Sequence, residues 1–288
     1  MSHIPLGGRQ TLTSYRKIAI ASWRHPRDPT TYSWVDLPVE AAEAFLKSYD
    51  SETKPSLTYF IAKIIAHCLE EQPELNHLLR GPNLYRRART DVFITTLLRN
   101  PVAGHDGSVA RDLSGFCITG VPQLSLGQVA KTAEEALAKL QAGQDADTVC
   151  IQKATDRQPV WLLRVFMAIK DFFQFGLNVS LRGFGVPDDR FGSVIISNFG
   201  VLGIDNALIP LSPYCRCPFI IGIGRRRPMA VVREGAVTAA ECVTISFTFD
   251  HRYADGVHGG LMIRRFQKIF LNPKRYADVF EAATSAVK

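Results

Sequence analysis

Apolar positions along the chain fall into stretches with helical or strand spacing. Ala41, Ala44, Phe45 and Leu46 predict a helix over 38–49, with Pro38 suited to its first turn. A fuller stripe of Leu57, Phe60, Ile61, Ile64, Ile65, Cys68 and Leu69 predicts a helix over 56–71, capped by Ser56. Helices are also predicted over 125–142, ending near Gly143, and over 256–271, where Asn272-Pro273 stops the last one. The stretch 158–174 is the most apolar. It carries Arg164 and Asp171 seven residues apart on one face, so it reads as an amphipathic helix whose wide apolar side is expected to pack against protein. Strand patterns occupy 92–98, 193–198, 219–223, 229–232 and 243–249, the last two joined as a hairpin around Glu234-Gly235. Gly81-Pro82-Asn83 marks a turn and 101–108 reads as loop. Two long helices ahead of the first clear strand predict a single α/β or α+β domain.

Composition narrows the function more than the fold. A chain of 288 residues buries enough surface to need no disulfide or metal. Hydrophobic residues at 46% and charged ones at 21% exclude a disordered chain. The formal charge of +7 suits an anionic ligand, but its spread along the chain does not mark a nucleic-acid binder. Cys68, Cys117, Cys150, Cys215, Cys217 and Cys242 have neither zinc spacing nor a plausible close pair, so reduced thiols, no metal and a cytoplasmic location are expected. The first ten residues lack a leader's apolar stretch, and no uncharged apolar run approaches 18 residues, so neither a leader nor a membrane span is expected. Neither nucleotide-binding glycine fingerprint occurs. Arg225-Arg226-Arg227 could attract phosphates, but three adjacent arginines on a strand read better as a solvated rim.

The informative stretch is Thr248-Phe249-Asp250-His251-Arg252-Tyr253-Ala254-Asp255-Gly256. A strand ends, a short loop carries a histidine, and an aspartate opens a helix. Histidine is the side chain best suited to take a proton near neutral pH, and a strand-to-helix elbow exposes it on rigid supports. Taken alone, Asp255 could be only a helix cap and His251 an ordinary loop histidine. His258 reads as a first-turn helix residue rather than a ligand. A second segment, Ile195-Ile196-Ser197-Asn198-Phe199-Gly200, runs as a strand into a glycine turn.

Together these segments resemble the I-S-N-x-G and D-H-R-x-x-D-G motifs of the catalytic domain of the dihydrolipoyl acyltransferases of 2-oxoacid dehydrogenase complexes. Chloramphenicol acetyltransferase shares that fold. The opening 12–23 with Arg16-Lys17, and the segments 34–46, 57–78 and 83–98, follow the same order. The resemblance implies a chloramphenicol-acetyltransferase-like mixed sheet flanked by helices. It implies transfer of an acyl group between coenzyme A and a thiol such as dihydrolipoamide. His251 would be the general base and Ser197 the oxyanion donor. Asp255 with Arg16, Asn198 and Gly256 would be supports, with Gly256 admitting close approach of helix to loop. Coenzyme A would be a substrate, with its binding residues unassigned. The resemblance also implies a homotrimer with each site between two subunits. The region 100–190 departs from the pattern and reads as partly inserted. No lipoyl or peripheral-subunit-binding domain precedes the catalytic region, so a lipoyl group is expected only from another chain. The end of the chain lacks the apolar tail that builds larger cores, so a trimer that assembles no further is expected. The rival expectation is a catalytically silent relative kept as a scaffold or partner-binding subunit.

Overall fold

The computed structural model describes residues 4–9, 11, 28–103, 109–145, 147, 148 and 158–282, without side chains at 98–103 and 109–112. Arg16 and Cys150 lie outside the described residues. The strands are β1 (Leu6–Arg9), β2 (Thr30–Pro38), β3 (His77–Arg80), β4 (Asn83–Arg87), β5 (Val92–Ala103), β6 (Val109–Ile118), β7 (Val194–Asn198), β8 (Phe219–Ile223), β9 (Arg227–Arg233) and β10 (Ala236–Asp250). The helices are α1 (Glu40–Ser48), α2 (Leu57–Glu71), α3 (Leu126–Gln141), α4 (Val160–Asp171) and α5 (Gly256–Leu271).

The main sheet runs β2-β10-β8-β7-β5-β6, with β9 paired to the first half of β10. Strands β5, β7 and β8 are mutually parallel and the other pairings antiparallel, so the sheet is mixed. A smaller sheet of β1, β4 and β3 stands beside it. Side chains alternate across the sheet as the two-residue period requires. Val92, Ile94, Val194, Ile196, Ile221 and Ile245 join the helical core, whereas Phe93, Ile195 and Ile220 face the other way into a second cluster.

Helices α2, α3 and α5 start at side-chain caps. Ser56 accepts the Tyr59 N–H at 3.4 Å. Ser125 and Gln128 form a reciprocal capping box at 2.8 and 3.2 Å. The core on the helical face is aromatic: Phe60 stacks on Phe280 with centroids 4.9 Å apart and meets Phe270 edge-on at 5.7 Å. Lys63 is buried in the same helix and donates to the carbonyls of Val121 and Pro122 at 3.2 and 2.9 Å, and to Leu124. Burial pulls its pKa down to about 8.

Several expectations change. Strands β1 and β2 precede the first long helix, and Pro38 closes β2 opposite Cys242 instead of opening α1. Strand β5 continues through Pro101–Ala103, where a loop was expected. The expected hairpin forms, with Glu234 and Gly235 both at positive φ, 51° and 81°, as a tight two-residue turn requires.

Helix α4 forms where it was expected, but among the described residues its apolar face is uncovered, which leaves the expected packing untested. Trp161 is 66% exposed, and Val165, Phe166 and Ile169 are exposed beside it. The buried residue of this helix is the charged Lys170. Its ammonium lies 4.6 Å from the Tyr214 ring centre and 3.4 Å from Asp171. Asp171 also pairs with Arg216 at 2.9 Å. A π-helical turn, Phe172–Gly176, follows and presses Phe175 against Ile4 and Leu78, while Arg80 donates to the Phe175 and Gly176 carbonyls at 3.0 and 2.9 Å. The polar end of α4 is thus tied to the body by charge pairs and carbonyl bonds, and this orientation turns the apolar side outward.

Candidate active site

The first half of the site is the elbow after β10. Strand pairing runs to Asp250 opposite Thr30. The Asp250 carboxylate then grips Arg252 through Nε at 3.0 and 3.2 Å and Nη2 at 2.7 Å, and accepts the Arg252 N–H at 2.9 Å. The Asp250 carbonyl accepts from the N–H groups of Tyr253 and Ala254 at 2.9 and 3.2 Å. Tyr253 is buried, and its hydroxyl accepts the Leu79 N–H at 2.9 Å. Burial, with Asp250 close by, pushes the Tyr253 phenol up to about 12, so it stays neutral and acts as an anchor.

This clamp fixes His251. Its backbone N–H donates to the Pro29 carbonyl at 2.9 Å. Its Nδ1 lies 2.8 Å from the Ala254 carbonyl. A carbonyl only accepts, so the neutral imidazole carries its proton on Nδ1 and presents a basic lone pair at Nε2.

Asp255 caps α5. Its Oδ1 accepts from the N–H groups of Val257 and His258 at 3.0 and 3.2 Å and sits 2.6 Å from His258 Nδ1. Burial would raise its pKa, but the His258 side-chain and backbone bonds outweigh it and hold the carboxyl below its ordinary value. The expected backbone partners of Asp255 are therefore present, and the expected partner Arg16 lies outside the described residues. Gly256 does not serve the role expected of it. A Cβ there would meet nothing within 4 Å among the described residues, whereas one on Gly259 would come within 3.3 Å of the Phe249 ring. The close helix contact falls one turn later than the sequence suggested.

The second half is the end of β7. Ser197 follows Ile195 on the face away from the helices and lines a pocket of about 410 Å³. No protein group bonds its hydroxyl among the described residues. Asn198 points the opposite way and donates through Nδ2 to Thr58 Oγ1 at 3.0 Å, joining the β7 end to the start of α2. Glycines make the turn that follows. A Cβ on Gly200 would lie 2.4 Å from the Gly224 carbonyl oxygen, and one on Gly224 would lie 2.0 Å from that of Asp205. Gly200 and Gly224 thus mark a close backbone crossing at the strand end, whereas a Cβ on Gly222 would meet the Ser246 hydroxyl and the Phe199 ring.

The two halves do not meet within the chain. Ser197 pairs with Gly222, and Gly222 with Ser246, so Ser197 and Ser246 stand level across β7, β8 and β10. Two strand spacings separate them, about 10 Å, and β10 then runs about 13 Å further to Asp250 before His251 begins.

Arg225, Arg226 and Arg227 meet acidic partners of the same chain, Asp205 at 2.9 Å, Glu43, and Asp36 at 3.9 Å. They form the rim the sequence favoured. Among the described residues, no group of three His, Cys, Asp or Glu side chains could hold a metal, and no helix is long and apolar enough to cross a membrane. Sequence reasoning missed Arg190 and Tyr214, which line the pocket beside Ser197. Both lie in connecting segments with no pattern of their own, and only the fold brings them to the sheet.

Residues 186–277 match the family described as 2-oxoacid dehydrogenases acyltransferase (catalytic domain). The dihydrolipoyllysine-residue acetyltransferase component of the pyruvate dehydrogenase complex of Rickettsia felis is 33% identical over 82 residues, covering 28% of this chain and 19% of that protein. The chain thus spans about a fifth of the length of the curated relatives it matches. In fold the likeness extends over nearly the whole chain. A probable dihydrolipoamide acetyltransferase of Listeria monocytogenes superimposes with a TM-score of 0.59, covering 98% of this chain and 99% of that one at 12% identity. The dihydrolipoamide acetyltransferase of Azotobacter vinelandii gives 0.60 at 16% identity, covering 94% of both chains. That structure was solved in a study of a serine, a histidine and an asparagine in its catalytic mechanism. The likeness read from the two motifs thus rests on residues 186–277 in sequence and on almost the whole chain in fold.

Proposed function

We propose that this chain, whose residues 186–277 match the acyltransferase catalytic domain of 2-oxoacid dehydrogenases, moves an acyl group between coenzyme A and a second thiol such as dihydrolipoamide. One observation carries the reading: the His251 imidazole is clamped with its proton on Nδ1 and its lone pair on Nε2. In this reading Nε2 accepts the proton of the attacking thiol. A free thiol has a pKa near 8.5, so near neutral pH it needs a base to become the attacking thiolate. The sulfur then forms its bond to the thioester carbonyl, and the C=O electron pair moves onto oxygen. Ser197 donates a hydrogen bond to that oxyanion. As the carbonyl re-forms, the bond to the leaving sulfur breaks, and the imidazolium returns the proton to it.

His251 and Ser197 of one chain lie too far apart to serve one carbonyl. The reading therefore places each site between two protomers of a homotrimer, with the base of one and the serine of its partner. Asp255 positions α5 beneath the elbow, and Asn198 positions the β7 end through Thr58. Coenzyme A is a substrate rather than a resident group, and a lipoyl thiol would serve as the second substrate. The domain is read as one acyltransferase unit, with 100–190 its divergent part.

The test is acyl transfer from a panel of acyl-coenzyme A thioesters to dihydrolipoamide by wild type and His251→Ala. Turnover lost in a folded His251→Ala supports the reading; turnover that survives contradicts it. The exposed apolar side of α4 favours a second reading, a scaffold that binds a partner and turns nothing over. Absence of both turnover and coenzyme A binding would support it.

A further inference from the structure

The pocket beside Ser197 has an apolar floor and one charge. Phe93, Ile195, Ile209 and Ile220 build the floor, and Arg190 enters its wall. Arg190 Nη2 donates to Thr148 Oγ1 at 2.8 Å. Its Nη1 is buried without a hydrogen-bond partner. No carboxylate lies within ion-pair distance of this guanidinium among the described residues. The neighbouring aspartates are committed elsewhere: Asp189 pairs with Arg87, and Asp188 takes Ser180 at 2.9 Å and Arg182 at 3.5 Å. A partly desolvated cation with no counter-charge is costly unless something anionic joins it. The volume, about 410 Å³, lies within the range of pockets for drug-sized ligands and far exceeds the needs of an acetyl group.

We infer that this pocket receives the acyl chain and that Arg190 binds a carboxylate at its far end, so the substrate is a dicarboxylic acid joined to the thiol through one carboxyl. The inference rests on the acyltransferase reading above and names its substrate class. An anionic group elsewhere on the thioester, such as a coenzyme A phosphate, is common to every acyl-coenzyme A. Only the acyl carboxylate would make Arg190 discriminate between acyl groups.

The experiment pairs thioesters of matched chain length, succinyl- against butyryl-coenzyme A and glutaryl- against pentanoyl-coenzyme A. Both kcat/KM for transfer to dihydrolipoamide and Kd by calorimetry are measured for wild type, Arg190→Gln and Arg190→Lys. The wild type is expected to prefer the carboxylated member of each pair by about tenfold or more, the range of a charge-assisted hydrogen bond. Arg190→Gln should bring the ratio toward one, and Arg190→Lys should retain part of it. Equal use of both members by the wild type would overturn the inference. So would an equal loss on both members in Arg190→Gln, which would assign Arg190 to coenzyme A itself or to a partner subunit. If thioesters bind and none is turned over, dihydrolipoamide is the wrong acceptor, and the Kd ratio still decides the pocket.

Discussion

Ser197 and His251 stand at opposite ends of one sheet, joined by a register that runs from Ser197 through Gly222 to Ser246 and then along β10 to Asp250. A general base and an oxyanion donor each work at about 3 Å from the reacting atoms. The proposed mechanism, with this spacing, therefore needs two chains at each site, and it makes activity a property of their arrangement. Ser197→Ala and His251→Ala chains, each inactive alone, should restore turnover when co-assembled. Random mixing in equal amounts into a cyclic trimer leaves about a quarter of the interfaces intact, so about a quarter of wild-type turnover is expected. Activity of the co-refolded mixture measures this, and a mixture as inactive as its parents would place both residues' work elsewhere.

In the proposed mechanism the Ser197 hydroxyl acts only in the transition state. Ser197→Ala is expected to lower kcat about 100- to 1,000-fold with little change in KM. Steady-state kinetics at saturating acyl-coenzyme A separate the two parameters.

The Asp255 cap has a signed pH dependence. Its folded pKa is lowered, so its contribution is complete above the ordinary value of 3.8 and is lost as pH falls through the lower folded value. Asp255→Ala should cost about 1 kcal/mol at pH 6. Urea unfolding at a series of pH values should show that difference shrinking only below about pH 4.

Gly224, just past β8, and Gly256, in the elbow motif, should respond in opposite directions. Gly224→Ala places a methyl 2.0 Å from the Asp205 carbonyl oxygen and should prevent stable folding. Gly256→Ala places one in open space at the start of α5 and should raise stability by about 0.4–1 kcal/mol. Thermal melts of the two variants check this, and a destabilised Gly256→Ala would restore the close-approach role that the sequence suggested.

On α4, Phe166→Ser should leave stability within about 0.5 kcal/mol of wild type, because the ring is exposed. Phe60→Ala, in the aromatic core, should cost about 3–5 kcal/mol. Denaturant titrations of the two variants under one condition make the comparison.

The parts of this fold legible in the sequence were those whose signal is local. The apolar stripe of α2, the stop at Asn272-Pro273 and the Glu234-Gly235 turn each follow from residues in contact along the chain. Strand β2 was hidden because one of its faces is solvated and it ends in a proline that mimics a helix start. Strands β3 and β4 are too short to show a period. The elbow residues were legible as a motif. The distance between His251 and Ser197 was not, since it depends on which strands pair and in what register. Arg190 carried no signal, because its meaning comes from the sheet face against which its connecting segment lies.

The outward face of α4 shifts part of this protein's stability problem from the fold to the cell. Trp161, Phe166 and Phe172 present the same surface that chaperones and proteases read as incompletely folded protein. A chain left uncovered is marked for triage although its core is complete.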